Sequence, residues 1–139
     1  MLLVTDVGNT NIKLGLYDGE RLAASWRLST DLKKTSDEYG LMLMNLLSHA
    51  GAGKQDISGA IMSSVVPGIN YTLTHMLEFY LGQHPLLVGP GIKTGLNIKL
   101  DNPRELGGDL ITDAVSAFTR YGGDLIVIDF GTATTMSAV

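Results

Sequence analysis

The order of apolar and polar positions divides this chain into short strands and amphipathic helices. Leu2–Val7, LLVTDV, reads as a continuous apolar strand that runs into Asp6. Ile12–Tyr17 alternates, so it predicts a second strand with one face outward. Asp18-Gly19 is a hairpin signal, and Arg21–Leu28 predicts a third strand with Leu22, Ala24, Trp26 and Leu28 on one face. A polar loop, Ser29–Thr35, follows. Ser36 is a plausible N-cap for a helix over Asp37–Ala50, with Asp37 and Glu38 in its first turn and Gly51 and Gly53 ending it. Ile57–Ser63 predicts a short strand buried on both faces. Ser64–Pro67 then turns into a helix over about Asn70–Leu81, stopped by Gly82. Pro85–Val88 predicts another strand, and Gly89–Asn97, rich in glycine and proline, predicts a loop. Pro103 lies just before a third helix, Gly108–Tyr121, with Ile111, Ala114, Val115 and Phe118 on one face. Gly122-Gly123 stops that helix, and Leu125–Asp129 is the last clear strand.

The resulting order, βββαβαβαβ, narrows the fold. Three hairpin-connected strands followed by helix crossovers predict an α/β protein: a mixed five-stranded sheet with helices on its faces, the ribonuclease H-like arrangement of an actin-like ATPase subdomain. Residues 1–123 would form this first subdomain. Residues 124–139 would supply the first strands of a second, similar one, because Leu125–Thr135 repeats the strand, aspartate and glycine turn of Leu2–Gly8. A chain of 139 residues that stops at Val139, within a strand pattern, reads as the N-terminal part of a longer protein.

Composition changes this picture little. Apolar residues make up 45% of the chain, enough for a packed core. The net charge is −4 with no basic run, which argues against a general nucleic-acid binder. There is no cysteine, hence no thiol nucleophile, disulfide or zinc–thiolate site. No apolar run reaches the ~18 residues of a membrane span, and the N-terminus lacks the pattern of a signal peptide. The expectation is a cytoplasmic, soluble protein. His49, His75 and His84 lie apart and read as structural or solvated, and Met42, Met44, Met62 and Met76 read as core filler.

Chemistry concentrates at two places. Asp6 ends a strand and is followed by Gly8-Asn9-Thr10-Asn11, and Lys13 lies on the outward face of the next strand. A strand-end carboxylate calls for a partner, and a glycine turn offers backbone N–H groups to an anion. Taken alone, Asp6 also reads as a capped turn, and Lys13 as a solvated strand lysine. The same pattern at Asp129-Phe130-Gly131-Thr132 favours the two walls of a Mg–triphosphate cleft, with Thr10, Thr132, Thr134 and Thr135 as possible hydroxyl donors. Asp109, after Gly107-Gly108 at a helix start, reads either as a first-turn acid or as a carboxylate able to accept a proton from a substrate hydroxyl.

These motifs, taken together with Lys13 and Gly15, Gly91-Ile92-Lys93-Thr94-Gly95, Asp101-Asn102-Pro103 and Asp129–Thr135, resemble type III pantothenate kinase, in order along nearly the whole chain. The resemblance implies ATP-dependent phosphorylation of pantothenate, the first committed step of coenzyme A synthesis, by a homodimer using Mg²⁺ and a monovalent cation (K⁺ or NH₄⁺). Asp6 would match the metal-site aspartate. Gly8, Asn9, Thr10 and Lys13 would match the phosphate-binding turn. Gly131, Thr132 and Thr134 would match the second phosphate-facing turn. Asp109 would match the general base, Gly107 and Gly108 the backbone beside pantothenate, and Asp129 the aspartate associated with the monovalent cation. Two positions depart from the family pattern: Leu110 replaces a usual arginine, and Leu100 a frequent tyrosine. Both fall on the substrate side, so ATP binding is the firmer expectation. A non-catalytic, nucleotide-binding regulatory paralogue is the alternative. The 139-residue piece by itself is expected to be inactive.

Overall fold

The computed structural model describes residues 1–89, 91–99, 102 and 106–139. Leu100, Asp101 and Pro103, on which part of the sequence reading rests, lie outside the described residues. The chain forms two compact units, Met1–Leu87 and Val88–Val139.

The first unit is built on a sheet whose strands are β1 (Leu2–Val7), β2 (Asn11–Asp18), β3 (Arg21–Ser29), β4 (Gly59–Ser64) and β5 (Leu86–Val88). Their spatial order is β3-β2-β1-β4-β5. β1 pairs antiparallel with β2 and parallel with β4, so the sheet is mixed as the pattern predicts. β1 is not evenly apolar around its axis. Leu3, Thr5 and Val7 are buried, whereas Leu2, Val4 and Asp6 are less so.

That alternation continues across the sheet and gives it two unlike faces. Leu3 and Val7 of β1, Ile12, Leu14 and Leu16 of β2, and Ala60 and Met62 of β4 join one core. Tyr39, Leu43 and Leu47 of α1 (Ser36–His49) and Ile69, Leu73 and Met76 of α2 (Pro67–Met76) complete it. At ~1.5–3 kcal/mol for each large side chain removed from water, this single layer dominates the stability of the unit. The opposite face carries Asp6, Lys13, Arg27 and Ser63.

Local chemistry moved several boundaries. The N-cap of α1 is Thr35, not Ser36. Glu38 then falls at the third helical position and closes a capping box, with the Thr35 hydroxyl accepting from Glu38 N–H and the Glu38 carboxylate accepting from Thr35 N–H. The second helix starts at Pro67 rather than near Asn70, because proline is suited to the first helical position. It runs into one π-helical turn, Leu77–Leu81, and ends at Gly82 with φ +68°. β4 is not buried on both faces along its length: Ala60, Met62 and Ser63 are buried, while Gly59 and Ile61 are intermediate. Leu22 does not share a face with Ala24, Trp26 and Leu28. A bulge shifts the β2–β3 register between Leu16 and Tyr17, so that Leu22 pairs with Tyr17 instead and is 48% exposed.

In the second unit, α3 spans Gly108–Tyr121 as predicted. β6 (Ile126–Phe130) and β7 (Thr134–Ala138) form an antiparallel two-stranded sheet. Ile126, Ile128, Phe130 and Met136 are all at least half exposed on it. The segment from Gly89 to Asn97 has no helix or strand among its described residues, and Gly91 and Gly95 take positive φ there.

Candidate active site

The first site is assembled at the end of β1. Asp6 and Lys13 are directly opposed in the β1–β2 register, and Lys13 Nζ donates to Asp6 Oδ2 at 3.3 Å. The side chains remain 40% (Asp6) and 58% (Lys13) exposed, so the pair is weak and can re-partner at little cost. The register extends the row on both sides. Arg27 of β3 lies opposite Lys13, and Ser63 of β4 lies beside Asp6. Residues opposed in this way share a face, so Arg27, Lys13, Asp6 and Ser63 form one polar line across four strands. An open depression of about 430 Å³ lies along Lys13, Ser25 and Arg27.

Gly8-Asn9-Thr10 turns the chain between β1 and β2. Gly8 N–H donates to Asn11 O at 2.9 Å, and a Cβ on Gly8 would stand only 3.2 Å from that oxygen. Asn9 and Thr10 are exposed at the tip. The turn is also held by Thr30, the residue just after β3, a contact the sequence reading missed. Thr30 Oγ1 donates to Gly8 O at 2.6 Å, and Thr30 N–H donates to Thr10 O at 3.0 Å.

Ser63 is a second residue that the sequence reading passed over. It is 6% exposed, and its hydroxyl oxygen is buried with no hydrogen bond among the described residues. A buried hydroxyl normally has a partner, and this one is next to the Asp6 position. No residue signal marks it, because a serine ending an apolar strand is ordinary.

The second unit holds the remaining candidates. Gly107 caps α3 in extended backbone geometry with no side-chain bond, and Gly108 is buried. Asp109 lies in the first turn, and its Oδ1 accepts Leu110 N–H at 2.8 Å. That bond engages one of the two carboxylate oxygens. Thr112 Oγ1 donates to Asp109 O at 2.7 Å, which fixes the turn.

On the hairpin, Asp129 is opposed to Thr135 and Phe130 to Thr134. Gly131 N–H donates to Ala133 O at 3.2 Å, and a Cβ on Gly131 would lie 3.3 Å from Asp129 Oδ2. The carboxylate therefore sits against the glycine turn. Both turns share one construction: an aspartate, then two residues on a glycine whose N–H closes the loop. Gly131, Thr132 and Thr134 are exposed on it.

The residues present suit a magnesium ion bound together with phosphate. Among the described residues no three His, Cys, Asp or Glu side chains are grouped to hold a metal. Magnesium is ordinarily held by one or two carboxylates plus substrate phosphates, not by an all-protein cage. Asp6, with the unpartnered Ser63 hydroxyl beside it, meets that description. The loop that carries Thr30 is firmly charged. Lys33 N–H, then the Lys34 ammonium, holds the Asp31 carboxyl below its usual range, and the Asp31 bond raises Lys34.

A family model described as type III pantothenate kinase matches residues 2–139. The chain belongs to the type III pantothenate kinase family. Two solved structures resemble it in shape. One, a proposed N-acetylglucosamine kinase from Porphyromonas gingivalis, is 14% identical with a TM-score of 0.53, and the alignment covers 99% of this chain and 44% of that one. The other, a ROK hexokinase from Thermus thermophilus, is 13% identical with a TM-score of 0.57, over 99% of this chain and 46% of that one. The likeness establishes the ribonuclease H-like fold of the actin-like ATPases for this pantothenate kinase family member. The chain spans less than half the length of either neighbour. No helix among the described residues is long and apolar enough to cross a membrane.

Proposed function

We propose that this chain forms part of an ATP-dependent pantothenate kinase, which transfers the γ-phosphoryl group of ATP to the pantothenate hydroxyl and yields 4'-phosphopantothenate for coenzyme A synthesis. The observation that carries the reading is the Asp6–Lys13 pair beside the Gly8–Thr10 turn, in a chain that matches its family from residue 2 to 139. Magnesium, when bound, would neutralise phosphate charge. Asp6 is the carboxylate assigned to it, and Asp129 the one assigned to a potassium or ammonium ion. Lys13, Asn9 and Thr10 would take phosphate oxygens, as would Gly131, Thr132 and Thr134. Asp109 would accept the proton of the pantothenate hydroxyl, with the Gly107 and Gly108 backbone beside the substrate. Positioning and electrostatics supply most of the rate in such transfers.

The same reading makes the enzyme a cytoplasmic homodimer, with residues 1–123 as one subdomain and 124–139 opening the next. The half-exposed apolar residues of the β6–β7 sheet call for cover, which further strands of that second subdomain would supply. The 139-residue chain alone is expected not to turn over.

The test is ADP release by the full-length protein, with and without pantothenate, repeated for Asp109→Asn. The expected result is release that requires pantothenate and falls by ~10²–10⁴ in the mutant, the usual worth of general-base catalysis. Pantothenate-independent release, or an unimpaired mutant, overturns the proposal. Leu110 favours one second reading, a nucleotide-binding paralogue without catalysis, since a leucine cannot replace the fork of donors on an arginine. Calorimetry that shows nucleotide binding and no pantothenate binding would select it.

A further inference from the structure

We propose that Thr30 is a positioning residue for the phosphate-binding turn, one that acts by holding two carbonyl groups of the turn away from the anion. The inference rests on the ATP-binding reading above, and it concerns a residue outside the turn, outside the metal-site carboxylates and in the loop just after β3.

A glycine turn attracts an anion only if its N–H groups face the anion and its carbonyl oxygens do not. Gly8 N–H donates to Asn11 O, which closes the loop. Thr30 holds two of the turn's carbonyl groups. Its hydroxyl takes Gly8 O at 2.6 Å and its N–H takes Thr10 O at 3.0 Å. All peptide bonds described are trans. In a planar trans peptide the C=O and the following N–H point in opposite directions. Drawing Gly8 O and Thr10 O toward Thr30 therefore turns the N–H groups of Asn9 and Asn11 the other way. Two of the turn's carbonyl oxygens, those of Gly8 and Thr10, are thereby withdrawn toward Thr30.

Thr30 can exert this hold because its own backbone is anchored on both sides. The buried Tyr39 phenol accepts Asp31 N–H at 2.9 Å, and its oxygen lies 3.3 Å from Ser29 O and 3.1 Å from Asp31 O. Tyr39 is 1% exposed and belongs to the core. The clamp is thus tied through one side chain to the packed helix layer, so the turn is pre-shaped before ligand arrives.

The role divides into a backbone bond, which any residue supplies, and a hydroxyl bond, which threonine and serine supply. Thr30→Val removes only the hydroxyl at nearly constant shape, Thr30→Ser restores it, and Thr30→Cys differs from serine by one atom that donates poorly. The full-length protein and its variants are titrated calorimetrically with Mg–ADP and, separately, with magnesium tripolyphosphate, and thermal unfolding is recorded alongside. The expected result is affinity for both ligands about tenfold weaker in T30V and T30C, the worth of one positioning hydrogen bond. T30S should stay within about twofold of wild type, and the unliganded melting temperatures should lie close together. Unchanged affinity in T30V, or equal losses in T30S and T30C, overturns the clamp. If T30V does not fold, the serine–cysteine difference decides alone. If the wild-type protein binds neither ligand, the ATP-site reading fails and this inference falls with it, an outcome distinct from tight binding that Thr30→Val leaves untouched.

Discussion

A methyl group at Gly40 would have no room. Gly40 lies in the middle of α1, and a Cβ built there would stand 2.3 Å from two ring carbons of Tyr80. The ring cannot swing away freely, because Tyr80 OH donates to Asp37 Oδ1 at 2.9 Å and the side chain packs against the core. Gly40→Ala gains up to ~1 kcal/mol of helix propensity, yet overpacking typically costs ~1–3 kcal/mol, so the net effect is a loss. Urea unfolding should show a lower midpoint for G40A, recovered in part by Tyr80→Leu in the same chain. A single glycine inside a helical pattern reads from sequence only as a weakness, since its cause is a side chain forty residues on. Asp6, Gly8 and Lys13 were legible because strand, turn and strand lie next to one another. Thr30 and Ser63 were not, because their relation to the turn exists only after β3 and β4 have paired on either side.

The β3–α1 connection is where element boundaries and electrostatics meet. Thr35 and Ser36 are both good N-caps, and the choice falls to Thr35 because it places Glu38 where the carboxylate can reach back. Thr35 N–H, then its hydroxyl, holds the Glu38 carboxyl below its usual 4.5, and Lys33 N–H and the Lys34 ammonium do the same for Asp31, usually 3.8. A lowered carboxylate pKa adds stability that is complete above the unfolded value and is lost as pH falls through the folded one. Lys34, raised by Asp31, adds stability below 10.5 that is lost as pH rises past its folded value. Thermal unfolding between pH 7 and pH 3 should therefore show Glu38→Gln less stable than wild type at pH 7, with the two curves converging in acid. Thr35→Ala should cost about 1 kcal/mol at pH 7. A constant offset across the range would show that the capping box is not carrying the titration. The polar loop predicted at Ser29–Thr35 begins one residue later, since Ser29 ends β3, and its sequence gave no sign of which hydroxyl would cap the helix.

At the scale of the whole molecule, the main sheet separates the face that packs the core from the polar face proposed to bind the nucleotide. All the strand side chains in the main core point to one face of the sheet, under α1 and α2, while Arg27, Lys13, Asp6 and Ser63 occupy the other. A substitution in the polar row should then leave the empty protein nearly intact. The exposed Lys13–Asp6 pair is worth at most ~1 kcal/mol, so Lys13→Ala should shift the unliganded melting temperature only slightly. The liganded protein should behave otherwise. A ligand at a hundred times its dissociation constant adds about 2.7 kcal/mol, and both Lys13 and the Asp6 carboxylate are assigned to that ligand. Full-length wild type should melt several degrees higher with Mg–ATP, lose most of that gain when a chelator removes the metal, and show little gain in Lys13→Ala or Asp6→Asn. If K13A loses stability without ligand and still gains the full increment with it, the lysine serves the sheet and not the phosphate, and the assignment of this face as the nucleotide-binding one is wrong.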